Sequence, residues 1–211
     1  MRSQLSLVLP LIAALGLSAC SSEPDISPAN PLPDIKNTLN TKARWSKSVG
    51  GGVGDFYSQL SPVVEGDRIF AASRDGVLIA YDKDSGKQHW KVRLDKLDVN
   101  KKQRSPRISG GLTAAYGNLY FGSENALVYA VSQEGGEVIW TKSVSGEVLA
   151  APVVDEGKVV VHTSAGNLVA LDARDGEQVW QLRNEQPSLT LRGMATPISV
   201  GGAALYGRAD G

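Results

Sequence analysis

Ala151-Pro152-Val153-Val154 opens a stretch that continues through Gly157, Val159-Val160-Val161, Ala165-Gly166, Leu168, Ala170, Asp172 and Gly176 to Trp180. Ser61-Pro62-Val63-Val64 opens a second one. It runs in the same order through Gly66, Ile69-Phe70-Ala71-Ala72, Asp75-Gly76, Leu78, Ala80, Asp82 and Gly86 to Trp90. A looser copy lies between them, with Gly117, Leu119-Tyr120-Phe121-Gly122, Leu127, Tyr129-Ala130, Gly135-Gly136 and Trp140. A fourth begins at Thr196-Pro197-Ile198 and reaches Asp210-Gly211. Each copy breaks into four short apolar pieces separated by turn residues; in the first these fall at 61–64, 69–73, 77–82 and 87–92. Alternation along Val77-Leu78-Ile79-Ala80-Tyr81 and the Asp-Gly and Ser-Gly pairs beside it predict strands joined by tight hairpins. Four strands recurring every ~40–50 residues is the period of a β-propeller blade. Helical solenoids share the period, but glycine interrupts these units too often for helices. The expectation is an all-β propeller of four-stranded blades, near 61–92, 112–142 and 151–182, with a partial blade at 196–211.

Trp45, Trp90, Trp140 and Trp180 take one register in the repeat. A large apolar ring with a single N–H donor suits a wedge between neighbouring blades. Aromatic platforms for a sugar or a peptide are the functional alternative, and one Trp per repeat favours the structural role.

The start of the chain carries a different message. Met1-Arg2 is a short basic start, an apolar run extends from Leu5 to Leu17, and Leu17-Ser18-Ala19 precedes Cys20, the single cysteine. This is the pattern of a secretory signal, too short to serve comfortably as a spanning helix. The segment resembles the lipobox of bacterial lipoproteins, which implies a signal peptide over 1–19 and lipidation of Cys20. Ser21-Ser22, rather than Asp, follows the cysteine; in that class of protein this implies sorting to the outer membrane, facing the periplasm. Residues 20–43 hold Pro24, Pro28, Pro31 and Pro33 among polar residues and read as an extended tether. The repeats occupy 44–211.

Charge excludes some functions. Twenty-two basic and 22 acidic residues cancel, which leaves no field to favour nucleic acid. Hydrophobic residues make up 42%, ample for a core. No constellation for catalysis emerges: the two histidines, His89 and His162, sit singly inside repeats, and Asp75, Asp82, Asp84, Asp172 and Asp175 occupy turn positions, where Asp stabilises local backbone. Gly50-Gly51-Gly52-Val53-Gly54 lacks the Lys-Ser/Thr of a phosphate loop. No metal or cofactor site is expected.

One connection between repeats stands apart. Gln181-Leu182-Arg183-Asn184-Glu185-Gln186-Pro187-Ser188-Leu189-Thr190-Leu191-Arg192-Gly193 is long and places two leucines beside an arginine. Leu and Arg in such a place suit a partner contact. An ordinary strand packed within a blade would carry the same leucines, and the residues alone leave both readings open.

Ala170-Leu171-Asp172 through Gly176 to Trp180 resembles the repeat of quinoprotein-type (PQQ-like, WD40-like) propellers, and Ala80-Tyr81-Asp82 through Trp90 fits it too. The middle copy departs, with Ser132 in place of Asp. The lipobox, the Pro-rich tether, Trp45-Ser46-Lys47-Ser48-Val49-Gly50, Gly54-Asp55-Phe56-Tyr57-Ser58 and Pro187-Ser188-Leu189-Thr190-Leu191-Arg192-Gly193 narrow this further. Together they resemble the BamB family, propeller lipoproteins of the outer-membrane β-barrel assembly machine. The resemblance implies an eight-bladed ring, of which this chain would supply about four blades, the last incomplete. An unclosed ring exposes a strand edge, so these 211 residues are expected to be poorly stable by themselves. It also implies a non-catalytic scaffold on the periplasmic face of the outer membrane, and contact with the periplasmic POTRA domains of BamA through Leu189, Leu191 and Arg192. Direct contact with unfolded barrel clients is left open. The alternatives are a periplasmic quinoprotein-like dehydrogenase, whose ligands this part of the chain lacks, and a propeller that binds a sugar or a peptide.

Overall fold

The computed structural model describes residues 36, 38–96, 105–184 and 192–208. The chain divides into two units, Met1–Lys42 and Ala43–Gly211. The described residues of the first, 36 and 38–42, are exposed. No helix among the described residues is long and apolar enough to cross a membrane.

The second unit is built from antiparallel sheets that follow the repeats. Strands β1 (Val63–Glu65), β2 (Arg68–Ala72), β3 (Val77–Asp82) and β4 (Gln88–Arg93) pair in sequence order as one sheet. The second sheet is β5 (Thr113–Ala115), β6 (Asn118–Gly122), β7 (Leu127–Ser132) and β8 (Val138–Ser143). The third is β9 (Val153–Asp155), β10 (Lys158–His162), β11 (Leu168–Asp172) and β12 (Gln178–Leu182), and β13 (Ile198–Val200) pairs with β14 (Ala203–Leu205). The first strands start two residues later than the expected 61, because Pro62 and its counterpart Pro152 have no N–H to give a ladder. The first strands β1, β5, β9 and β13 neighbour one another in turn. They therefore succeed each other around a common axis, as in a propeller.

Alternate residues of the middle strands serve two interfaces. From β6, Leu119 and Phe121 pack with Phe70, Leu78 and Ile108, toward the first sheet. Tyr120, between them, packs with Val159, Val161 and Leu171 of the third sheet. Val160 in turn faces Ala204 and Tyr206. A sheet covered on both faces needs apolar residues at consecutive positions, which is why Leu119-Tyr120-Phe121 and Val159-Val160-Val161 are unbroken runs.

Turns are set by local chemistry. Tyr116-Gly117 and Gly201-Gly202 both have positive φ throughout, as does Glu156-Gly157. Each is the two-residue link between paired strands, the geometry whose twist matches a hairpin. At the turn between the second and third strands of each four-stranded sheet (β2–β3, β6–β7, β10–β11) a hydroxyl accepts a backbone N–H four residues on: Ser73 from Val77 and Ser123 from Leu127, each at 3.2 Å, and Thr163 from Asn167 at 3.3 Å. At the β3–β4 turn Asp82 accepts the Ser85 N–H at 2.7 Å, and at the equivalent β11–β12 turn Asp172 accepts the Arg174 N–H at 2.9 Å. The Arg174 side chain, then its backbone N–H, pulls the Asp172 pKa down to about 2. Ser132, where the middle repeat lacks its Asp, does the same work with Oγ, accepting the Glu134 N–H at 3.2 Å.

The tryptophans bridge sheets. Trp90 Nε1 donates to the Gln133 carbonyl at 2.9 Å, and Trp140 Nε1 to the Ala173 carbonyl at 3.1 Å. Trp45 donates likewise to the Lys83 carbonyl at 3.0 Å. Each acceptor is the residue that follows the turn Asp or Ser of the next repeat. The turn glycine lies under the same ring: a Cβ added to Gly86, Gly136 or Gly176 would sit at 2.7, 2.9 or 2.7 Å from the nearest atom, belonging to Trp45, Val92 or Trp140 respectively, and at Gly136 the Trp90 ring is 3.0 Å away. Trp45 thus occupies, against the first sheet, the seat that Trp90 and Trp140 occupy against the second and third. Within each sheet Ala80, Ala130 and Ala170 lie opposite Trp90, Trp140 and Trp180, and the ladder shifts register directly after each alanine. A small residue there leaves room for the indole.

Candidate functional site

The β2–β3 and β6–β7 turns and the connections between sheets meet at one end of the array. The Arg74 N–H donates to the Gly52 carbonyl at 2.9 Å and the Ile108 N–H to the Arg74 carbonyl at 3.1 Å. The Glu124 N–H donates to Arg107, and the Val148 N–H to Ser123, each at 3.0 Å. Gly50 packs on Ser73 and Asp75. The glycine-rich 50–54 segment is therefore a turn docked on the first sheet, with its backbone bonded to protein.

An ion cluster sits on this end. Arg74 donates to both oxygens of Glu124, Nε to Oε1 at 2.9 Å and Nη2 to Oε2 at 2.6 Å. Arg192 approaches the same carboxylate at 3.3 Å and Glu147 at 3.7 Å. The Glu124 side chain is 4% exposed, whereas Arg192 is 48% exposed. Burial pushes the Glu124 carboxyl up, but the Arg74 hydrogen bonds and the charges of Arg74, Arg192 and Arg107 outweigh it and hold the pKa below the usual carboxylate range. A buried carboxylate gripped by one guanidinium thus holds a second one at the surface. The Arg74 guanidinium lies over the Phe56 ring, 3.7 Å from its centroid.

The expected contact residues are only partly in view. Arg192 belongs to the cluster just described. Leu189 and Leu191 lie outside the described residues, as does Cys20. His89 is exposed. His162 is buried, 4.9 Å from the Tyr206 ring; burial lowers its pKa, against a hydrogen bond with the Ala195 backbone. Among the described residues, no group of three or more His, Cys, Asp or Glu side chains is arranged to hold a metal ion. Sequence reading missed the Arg74–Glu124 pair. Its signal was there in the aligned repeats: the residue after Ser73 is basic and the residue after Ser123 is acidic, at one turn position of adjacent blades.

A family model described as "Outer membrane protein assembly factor BamB" matches residues 37–113 and 96–211. The chain belongs to the BamB family. A BamB from Yersinia pestis is 42% identical over 215 residues, covering 100% of this chain and 55% of that protein. The Escherichia coli K12 BamB is 41% identical over 209 residues, 97% of this chain and 53% of that one. The chain thus spans about half the length of the curated BamB relatives it matches. The crystal structure of BamB from Moraxella catarrhalis superposes with a TM-score of 0.60 at 26% identity, over 74% of this chain and 44% of that one. A europium-containing methanol dehydrogenase superposes with a TM-score of 0.56 at 20% identity, over 69% of this chain and 27% of its own length. That likeness is one of fold alone: BamB and the dehydrogenase share propeller blades.

Proposed function

We propose that the chain is part of a non-catalytic scaffold that assists the assembly of β-barrel proteins into the outer membrane. In this reading Cys20 carries the lipid that anchors it to the periplasmic face, and Leu189, Leu191 and Arg192 contact the POTRA domains of BamA. One observation carries the assignment: curated relatives bearing the name of an outer membrane protein assembly factor match at about two-fifths identity along nearly the whole chain. The geometry of Arg192 supports the contact. Its guanidinium is held half exposed by Glu124 and Glu147, directly after the two leucines. Arginine fixed in this way is a common anchor of protein interfaces.

The test is a pull-down of POTRA domains by the natural full-length lipoprotein, wild type against Leu189→Ala/Leu191→Ala/Arg192→Ala, with circular dichroism on both. Loss of capture by a folded variant supports the scaffold and locates the contact. Equal capture by both removes the site assignment. Absence of capture by the wild type removes the partner, and redox activity on adding quinone and Ca²⁺ to the full-length protein would then favour a dehydrogenase.

A further inference from the structure

We propose that Phe56 and Tyr57 form a second part of the partner-binding surface, adjoining Arg192 and engaging the same folded periplasmic domain. The proposal rests on the scaffold reading above and names contact residues outside the Leu-x-Leu-Arg connection.

Exposure together with adjacency in sequence marks these rings. The chain has three phenylalanines; Phe70 and Phe121 are fully buried, while Phe56 is 57% exposed. Its neighbour Tyr57 is 54% exposed; Tyr81, Tyr120 and Tyr129 lie in the core, and Tyr116, exposed at 63%, is a single ring on the β5–β6 turn. Two adjacent aromatics on a connecting segment, outside any strand, give nothing to the blade cores. Aromatic rings in such a position are enriched at the anchors of protein interfaces.

Both rings are backed rather than loose. Phe56 lies against the Arg74 guanidinium, which Glu124 clamps through two hydrogen bonds. Gln59 Nε2 donates to the Tyr57 hydroxyl and to the Met194 carbonyl, each at 3.2 Å. The Tyr57 ring also borders Gly193, where a Cβ would meet its hydroxyl at 3.5 Å. Rings already held in place lose less side-chain freedom when a partner covers them.

Continuity decides the occupant. Arg74, under Phe56, and Arg192 share the Glu124 carboxylate; directly after Arg192, Gly193 borders the Tyr57 ring and the Met194 carbonyl accepts from the same Gln59 amide that donates to Tyr57. A domain large enough to grasp Arg192 meets these rings, since a typical interface takes about 800 Å² from each partner. The partner surface it fits is an apolar strip beside a hydrogen-bond acceptor for the exposed guanidinium.

The experiment uses the natural full-length lipoprotein and isolated POTRA domains, measuring the dissociation constant for wild type, Phe56→Ala/Tyr57→Ala, Tyr57→Phe and the Leu189/Leu191/Arg192 triple-alanine variant. In parallel, photoreactive p-benzoylphenylalanine is placed at position 57, and at exposed Val179 as a control. The expected result is binding weakened on the order of tenfold by Phe56→Ala/Tyr57→Ala, near-wild-type binding by Tyr57→Phe, and a POTRA cross-link from position 57 alone. If the triple variant loses binding while a folded Phe56→Ala/Tyr57→Ala protein binds like wild type, this surface is overturned and the scaffold reading stands. If the double-alanine variant fails to fold, the cross-link decides, and its absence or its capture of a second copy overturns the proposal. If wild type binds no POTRA domain, both readings fall together.

Discussion

The Trp140 indole donates to the Ala173 carbonyl at 3.1 Å, and Gly176, three residues further on, lies under the same ring. The Tyr120 hydroxyl reaches the same carbonyl at 3.1 Å. One backbone oxygen, directly after β11, thus receives two aromatic donors of the second sheet. Gly176 has φ of 74° and no room for a Cβ, so position and ring define each other.

Trp140→Ala in the full-length protein is expected to cost about 3–5 kcal/mol of stability. Gly176→Ala combines an unfavourable φ with a clash and is expected to cost at least about 1 kcal/mol. Guanidinium denaturation followed by Trp fluorescence and circular dichroism measures both. Because the two changes disturb one contact, the double variant should lose less than the sum of the singles.

Arg74→Met leaves a carboxylate that is 4% exposed with only the looser Arg192 contact. Breaking one side of a buried pair is expected to cost about 3 kcal/mol. Arg74→Met/Glu124→Met should recover much of that loss, as read from denaturation midpoints. Wild-type stability in Arg74→Met alone would mean that Arg192 suffices as partner.

Acid acts on Glu124 with a definite sign. Its folded pKa lies below its unfolded value, so its contribution is present above the ordinary carboxylate range and is lost as pH falls through the folded pKa. Glu124→Gln should therefore be less stable than wild type at pH 7, with the gap closing at low pH. Melting temperatures taken across that range give the curve.

His162 acts in a higher window. Burial lowers its folded pKa, so both states are neutral above ~6.5, and below it the unfolded chain binds the proton first. Stability should fall as pH drops from about 6.5 toward the folded pKa. His162→Leu is expected to show a smaller loss between ~pH 7.5 and ~5.5. An unchanged slope in that variant would mean that other groups set the dependence.

The blades were legible because burial on two faces and a fixed turn leave residues at fixed intervals. Val159-Val160-Val161, Asp172, Gly176 and Trp180 each record a contact that every repeat must make. Ser132 looked like a defect in the pattern, but a hydroxyl accepts the same N–H as a carboxylate. The cluster at the end of the array was legible only in part. Arg74 and Glu124 share one turn position of adjacent repeats, but Arg192 comes from the connection after the third sheet, and charged residues in turns have no period that burial enforces. The pairing of Phe56 with Arg74 was hidden for the same reason.

Each four-stranded sheet carries a tryptophan on its last strand and a glycine in the turn directly before that strand. Trp90 fits the turn at Gly136, and Trp140 fits the turn at Gly176. Stud and socket are therefore the same on successive units. A whole repeat copied in frame would arrive with both halves of the joint, able to seat on its predecessor and to receive its successor. The rim joint places no limit on how many units follow one another, and the size of a ring built this way must be decided nearer the axis, where β1, β5, β9 and β13 crowd together.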